Sequence, residues 1–163
     1  MALLKILHWP DPRLSRVCDD IRDVAGVRGL AADMLETMYD APGRGLAAPQ
    51  VGAMVRLFVM DVTWKEAKPA PRVMINPTVL SSDGVRVVAE EGCLSIPGVL
   101  APVERPEAVR MRWTDLDGRA CDEVLEGAAA RCAQHELDHL DGIVTLDRLS
   151  PEARAAAIGD LAR

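Results

Sequence analysis

The stretch AQHELDHLDG, residues 133–142, sets two of the chain's three histidines four positions apart, with a glutamate directly after the first. On a helix of 3.6 residues per turn, His135 and His139 project from nearly the same face, about 6 Å apart along the axis, so the two imidazoles can share one metal ion. Glu136 lies off that stripe, close enough to reach a water at the metal without being a ligand itself, which is the geometry of the H-E-x-x-H pattern. The plain alternative is an amphipathic helix that happens to carry two histidines. Two helical histidines leave a catalytic metal one protein ligand short of the usual three. Of the four cysteines, Cys18, Cys93, Cys121 and Cys132, the last is nearest in sequence. A rise of about 10 Å from Cys132 to His139, against metal bonds of about 2.0 to 2.3 Å, rules it out as a co-ligand. Cys132 reads instead as a small core residue beside the site, and the third ligand must come from elsewhere in the chain.

The elements that position this helix are legible in outline. With 163 residues, 49% of them hydrophobic, the chain suits a single domain over residues 1–163 that buries most of its apolar surface. A net charge of -6 argues against general nucleic-acid binding, whose phosphate contacts require a basic face. The apolar run before Trp9 and Pro10 is too short for a signal peptide or a membrane span, so a cytoplasmic location is expected and the cysteines read as thiols. Apolar residues at Val27, Leu30, Ala31, Met34, Leu35 and Met38 form a helical stripe over residues 27–39, closed by Pro42 and Gly43. Residues 54–62 read as a strand and 65–72 as a polar loop. Further strands are expected near 73–76, 84–90 (after a turn at 81–84), 108–114 and 120–126, the last two joined by a hairpin turn at Asp117-Gly118. A second helix starts near Gly127 and carries the histidines. The fold class is therefore α+β, with mostly antiparallel β-sheets packed around a C-terminal metal-binding helix.

Two more stretches stand out: APGRGLAAPQVG, residues 41–52, and EEGCLSIPG, residues 90–98. Singly, each reads as a tight Gly/Pro connection. Taken with QHELDH, in this order, Gly43-Arg44-Gly45-Leu46-Ala47-Ala48-Pro49-Gln50, Glu91-Gly92-Cys93-Leu94-Ser95 and Gln134-His135-Glu136-Leu137-Asp138-His139 make the chain resemble the peptide deformylases. These metallohydrolases remove the formyl group from the N-terminal formylmethionine of newly made proteins. The likeness runs from HWPDPRL near the start to LDRLSPEAR near the end.

The resemblance implies that Cys93, His135 and His139 bind the metal, with a water in the fourth position. It also implies oxyanion stabilisation by the Gln50 side-chain N–H and the Leu94 backbone N–H, and proton transfer by Glu136. A thiolate and two imidazoles suit a tetrahedral site with one open position, where a water is acidified towards neutral pH. Gly43, Arg44 and Gly45 would lie along the substrate peptide, the glycines allowing close backbone approach. Ala128 and Cys132 would line the pocket for the first side chain. The implied cofactor is one divalent ion, Fe(II), with zinc, nickel or cobalt acceptable in isolated protein, since thiolate and imidazole suit several ions. The implied partners are N-formylated nascent peptides.

Some positions depart from the family. Residues 127–133 read GAAARCA where relatives often carry bulkier residues, so volume is missing before the metal motif. Val99-Leu100-Ala101 stands where many relatives have an arginine or another polar residue. The tail balances Glu152 and Asp160 against Arg154 and Arg163 and so lacks the strongly basic helix that docks some relatives on ribosomal RNA. Two other readings compete. An ordinary H-E-x-x-H zinc peptidase would have no use for GRGLAAPQ, and a non-catalytic binding module would have no use for the full set of catalytic side chains.

Overall fold

The computed structural model describes residues 2–161. The expected first helix forms as α1, Arg28–Asp40, with Ala31, Met34 and Met38 buried on one face. β1 (Gly45–Ala47) and β2 (Leu57–Met60) follow. After the polar loop come β3 (Arg72–Ser82), β4 (Arg86–Cys93), β5 (Ile96–Pro106), β6 (Ala108–Thr114) and β7 (Ala120–Glu126). They make a five-stranded sheet in the order β1-β2-β3-β6-β7 and a separate two-stranded hairpin, β4-β5, and every pairing is antiparallel.

All four residues of β2 are buried because the sheet is covered on both faces. Leu57 and Val59 point into a cluster with α1, while Phe58 and Met60 point into a second cluster with Ala130, Ala133 and Leu140 of α2 (Gly127–Leu140). That alternation is the period of two of a strand buried on both sides, which hides the polar signal of a half-exposed one. A third cluster joins Ile96 and Val99 of the hairpin to Leu7, Leu14, Val144, Leu146 and Ala157, the last on α3 (Pro151–Leu161).

Several expected boundaries shift. The short strand at 73–76 continues to Ser82 past a bulge at Asn76, whose left-handed φ of 50° is held by paired bonds between its side chain and the Ile21 backbone, both 2.8 Å. The strand expected over 54–62 narrows to Leu57–Met60. β1 and β5 were not expected at all. β1 has three residues, and β5 is punctuated by Pro97, Gly98, Pro102 and Pro106. Those prolines are tolerated because each hairpin strand pairs on one side only, leaving an edge where a missing N–H is harmless. The Asp117-Gly118 turn falls where expected, with Gly118 at φ 80°.

β7 runs into α2 with no intervening loop. Gly127 makes the change of direction at φ 58°, a conformation open to glycine and strained for other residues, and its N–H bonds to the Glu107 carbonyl at 3.1 Å. The helix that carries the histidines is therefore aimed by the sheet itself.

Candidate metal centre and active site

Cys93 closes β4 where the hairpin ladder is irregular between Glu91 and Cys93, and this turns its sulfur toward the buried face of α2. There Cys93, His135 and His139 bring their ligand atoms within 4.8 Å of one another, the cluster of this kind among the described residues. Cys93 Sγ lies 3.4 Å from His139 Nε2. For bonds of about 2.0 to 2.3 Å in a tetrahedron, donor atoms should stand roughly 3.3 to 3.8 Å apart, so the spacing fits one ion. Cys132 stays out of the cluster, as the helix geometry requires, with its sulfur against the Arg44 carbonyl at 3.6 Å.

The charges around the cluster fit a cation as well. Burial works against a charged His135, yet Glu136, Cys93 and Glu91 together draw its pKa well upward, so positive charge is favoured at this ring. Burial, with His135 and Arg105 nearby, depresses His139 and keeps it a neutral imidazole. His135 Nδ1 bonds to Glu91 Oε1 at 2.9 Å, which fixes the ring and turns Nε2 toward Cys93, the support a ligating histidine ordinarily has. Glu91 also accepts from Arg105 at 2.6 and 2.9 Å and from Arg131 at 2.6 Å. Burial opposes its ionisation, but the Arg105 and His135 bonds outweigh that and hold its pKa down at about 2. Behind it, Asp138 takes Arg105 at 3.0 Å and both ends of the Arg148 fork at 3.0 and 2.7 Å.

Glu136 is 4% exposed, and its Oε1 has no hydrogen-bond partner among the described residues. Burial, reinforced by Glu91 and Asp138 and opposed by His135 and Arg105, pushes it up to about 7. A carboxyl there exchanges a proton readily at neutral pH. Gln50, 1% exposed, is held by the Ala47 N–H on its oxygen at 2.9 Å and donates to Ser95 Oγ at 3.0 Å, with Cys93 Sγ 3.7 Å away.

These residues open on a cavity of about 1000 Å³. Every position singled out from the sequence except His139 lines it: Gln50, Cys93, Leu94, His135 and Glu136 around the centre, Gly43, Arg44 and Gly45 along one side, Ala128 and Cys132 on the helix side. Ala128 is exposed to it, whereas Ala130 and Ala133 are fully buried against the sheet, so the open space on the helix side lies beside Ala128, with Arg131 and Cys132 as its neighbours on the lining. Leu100, among the family departures, is 64% exposed at the rim. The glycines have a further reason besides the substrate. A Cβ on Gly45 would stand 2.6 Å from Glu136 Oε2 and 2.8 Å from Cys132 Sγ, so the close approach of β1 to α2 at this point requires glycine.

Sequence reasoning missed Ser95, Arg105, Asp138 and Arg131 as supports, and His8, the third histidine, as a cavity residue. One signal was present. Val99, Ala101, Val103 and Arg105 are all buried at alternate positions of β5, so Arg105 continues an apolar stripe where an unpaired charge would be costly.

The chain matches the model of the polypeptide deformylase family over residues 3–155. A peptide deformylase of Afipia carboxidovorans is 52% identical over 151 residues, covering 92% of this chain and 88% of that protein. One from Psychrobacter arcticus is 50% identical over 151 residues, covering 92% and 81%. Among solved structures, a peptide deformylase from Legionella pneumophila superposes with a TM-score of 0.92 at 40% identity, covering 98% of this chain and 94% of that one.

Proposed function

This chain belongs to the polypeptide deformylase family, metallohydrolases that take the N-formyl group off the N-terminal methionine of new proteins and release formate, and we propose how its own residues do so. Cys93, His135 and His139 hold one divalent ion, Fe(II) in the cell, with zinc, nickel or cobalt able to replace it in preparations. An ion held there would supply Lewis acidity, to polarise the formyl oxygen and acidify a water. Glu136 takes the proton of that water at Oε1 and hands it to the departing amine nitrogen. Gln50 Nε2 and the Leu94 backbone N–H donate to the oxygen that gains charge as water adds to the formyl carbon.

The substrate peptide lies along Gly43, Arg44 and Gly45. The Arg44 carbonyl accepts from the Asp61 N–H, one residue past β2, at 2.8 Å, so by the alternation of a ladder in which Gly45 pairs with Met60 the Gly45 backbone groups face the open edge of the sheet. Ala128 and Cys132 bound the first side chain. Cys132 acts there as a neutral wall, because burial, Glu136 and Glu91 all push its thiol pKa up.

The observation that carries this reading is the convergence of a thiol and two imidazoles beside a buried carboxyl whose Oε1 has no hydrogen-bond partner among the described residues. We propose further that the chain works as one domain over residues 1–163 and in the cytoplasm; no described helix is long and apolar enough to cross a membrane. Ribosome docking through the tail is not part of the proposal: α3 carries Glu152 and Asp160 against Arg154, and Arg163 lies outside the described residues. The test is formate release from a formyl-Met peptide by protein loaded with Fe(II) in the absence of oxygen. Turnover that disappears in Glu136→Ala, with metal content kept, supports the assignment. Retention of peptide without turnover would instead make the chain a binding module.

A further inference from the structure

The donor atoms of the candidate metal centre come from two parts of the fold that bury separate apolar clusters. His135 and His139 ride on α2, whose Ala130, Ala133 and Leu140 pack with the five-stranded sheet. Cys93 ends a strand of the hairpin, whose Ile96 and Val99 pack with Leu7, Leu14, Val144 and Leu146. The joint between the two is polar. Across it run the His135 to Glu91 and Arg105 to Asp138 bonds, one bond from Gln134 to the Pro106 carbonyl at 3.0 Å, and three bonds from Arg131.

We infer that Arg131 is a positioning residue: its guanidinium clamps the Cys93 hairpin to the histidine helix and so fixes how far the thiolate stands from the two imidazoles. The inference rests on Cys93, His135 and His139 being the ligands. Arg131 Nη1 donates to Glu91 Oε2 at 2.6 Å and to the Val103 carbonyl at 2.9 Å, while Nη2 donates to the Val87 carbonyl at 2.7 Å. One planar group thus reaches both strands of the hairpin and the carboxylate that orients His135. Glu91 stands two residues before Cys93 on the same strand, so a shift of that strand against α2 changes the sulfur-to-nitrogen spacing directly.

Arg105 makes a second, different link across the joint. It belongs to β5, holds Glu91 from within the hairpin, and touches the helix through Asp138 alone. Because Arg105 still neutralises Glu91 when Arg131 is removed, the joint loosens without leaving a buried carboxylate unpaired. Lysine cannot serve three divergent acceptors with the rigid fork of arginine.

Cobalt(II) is the probe, since its visible spectrum reports the thiolate bond and its release to a chelator gives an off-rate. Arg131→Met, which keeps an unbranched apolar stem, should release cobalt about 10- to 100-fold faster than the parent, the range for loss of an outer support of a metal ligand. Its thiolate-to-cobalt band should shift. Arg131→Lys should fall between the two and carries the same readouts if Arg131→Met does not fold. Arg110→Met, which removes an exposed pair with Asp122, should leave band and off-rate unchanged. A parental band and off-rate in Arg131→Met, whatever its melting temperature, would overturn the clamp. The ligand assignment fails differently: the parent would then lack the band, or Cys93→Ala would keep it.

Discussion

Gly45→Ala tests how tightly the peptide-binding strand is set against the catalytic helix. The added Cβ would meet Glu136 Oε2 at 2.6 Å and Cys132 Sγ at 2.8 Å. Carbon–oxygen contacts settle near 3.3 Å, so the Glu136 carboxyl must retreat by about 0.7 Å from the observed 2.6 Å. Misplacing a catalytic group by 1 Å can lower the rate by about 10²-fold, which puts the expected loss in kcat at roughly 10- to 100-fold. Overpacking should reduce stability by about 1 to 3 kcal/mol. Metal content should stay at one ion, because Glu136 is not among the ligands. Gly43→Ala is the comparison on the same substrate-facing stretch, where the expected effect falls mainly on KM and leaves kcat closer to the parent. Its Cβ would meet the far end of a half-buried leucine, Leu94 Cδ1, at 2.8 Å, and that side chain can turn away. The measurements are kcat for formate release, bound metal, and urea midpoints for parent and both variants. Adding Cys132→Ala to Gly45→Ala should recover part of the stability and little of the rate. Parental kcat in Gly45→Ala, or an equal loss in Gly43→Ala, would refute the argument that the gap between Gly45 and Glu136 governs the chemistry.

Cys93→Ala, His135→Ala and His139→Ala should each lose the ion while Cys132→Ala keeps it, as metal analysis after dialysis will show; an empty Cys132→Ala with a filled Cys93→Ala would reverse the ligand set. Glu136→Ala should bind metal and lose about 10² to 10⁴-fold in formate release, the usual worth of a general acid–base. Ala128→Leu should move preference from formyl-Phe toward formyl-Met tripeptides, since one methylene in a pocket wall is worth about 1 to 3 kcal/mol of discrimination; kcat/KM for both substrates on both proteins measures this. Glu91 has its pKa lowered from 4.5 to about 2, so the stability it contributes, on the order of 3 kcal/mol, is present above pH 4.5 and drains away as pH falls toward 2. Urea midpoints across that window should slope downward in the parent and run flatter in Glu91→Gln.

The histidine helix was readable because its signal is local: four residues of spacing and one turn of helix specify which side chains share a face. α1 declared itself through six apolar positions at helical intervals, and β6-β7 through Asp117-Gly118. What stayed hidden depends on partners distant in the chain. β5 was not expected, its start falling in a stretch that reads as a tight Gly/Pro connection; Pro97, Pro102 and Pro106 argue against a central strand, and nothing nearby says that this strand pairs on one side only. Gly45 read as a substrate contact, and nothing near it in the chain says that it also packs against Glu136 and Cys132, some ninety residues on. Glu91 was legible as part of a motif but not as the carboxylate behind His135, since that requires knowing that β4 crosses α2. Arg105 is marked only by its place at the end of an alternating apolar stripe, and Arg131 is an ordinary arginine until the hairpin and helix are brought together.

The linkerless passage from β7 into α2 also says where the chain will accept length. One residue inserted between Glu126 and Gly127 advances the helix by about 1.5 Å and turns it by about 100°, swinging both histidines off the thiol at once, and no slack lies between strand and helix to absorb the change. The segment between β2 and β3 is different in kind. It is largely exposed over residues 65–71 and joins strands that already pair in register, so added residues can loop outward there. A tag, a reporter or a lineage-specific extension would be carried at residues 67–71 of that loop, clear of Lys65 and Glu66, which brace Pro42 and Arg44 beside the cavity, while the strand-to-helix junction should keep its length wherever the reaction is kept.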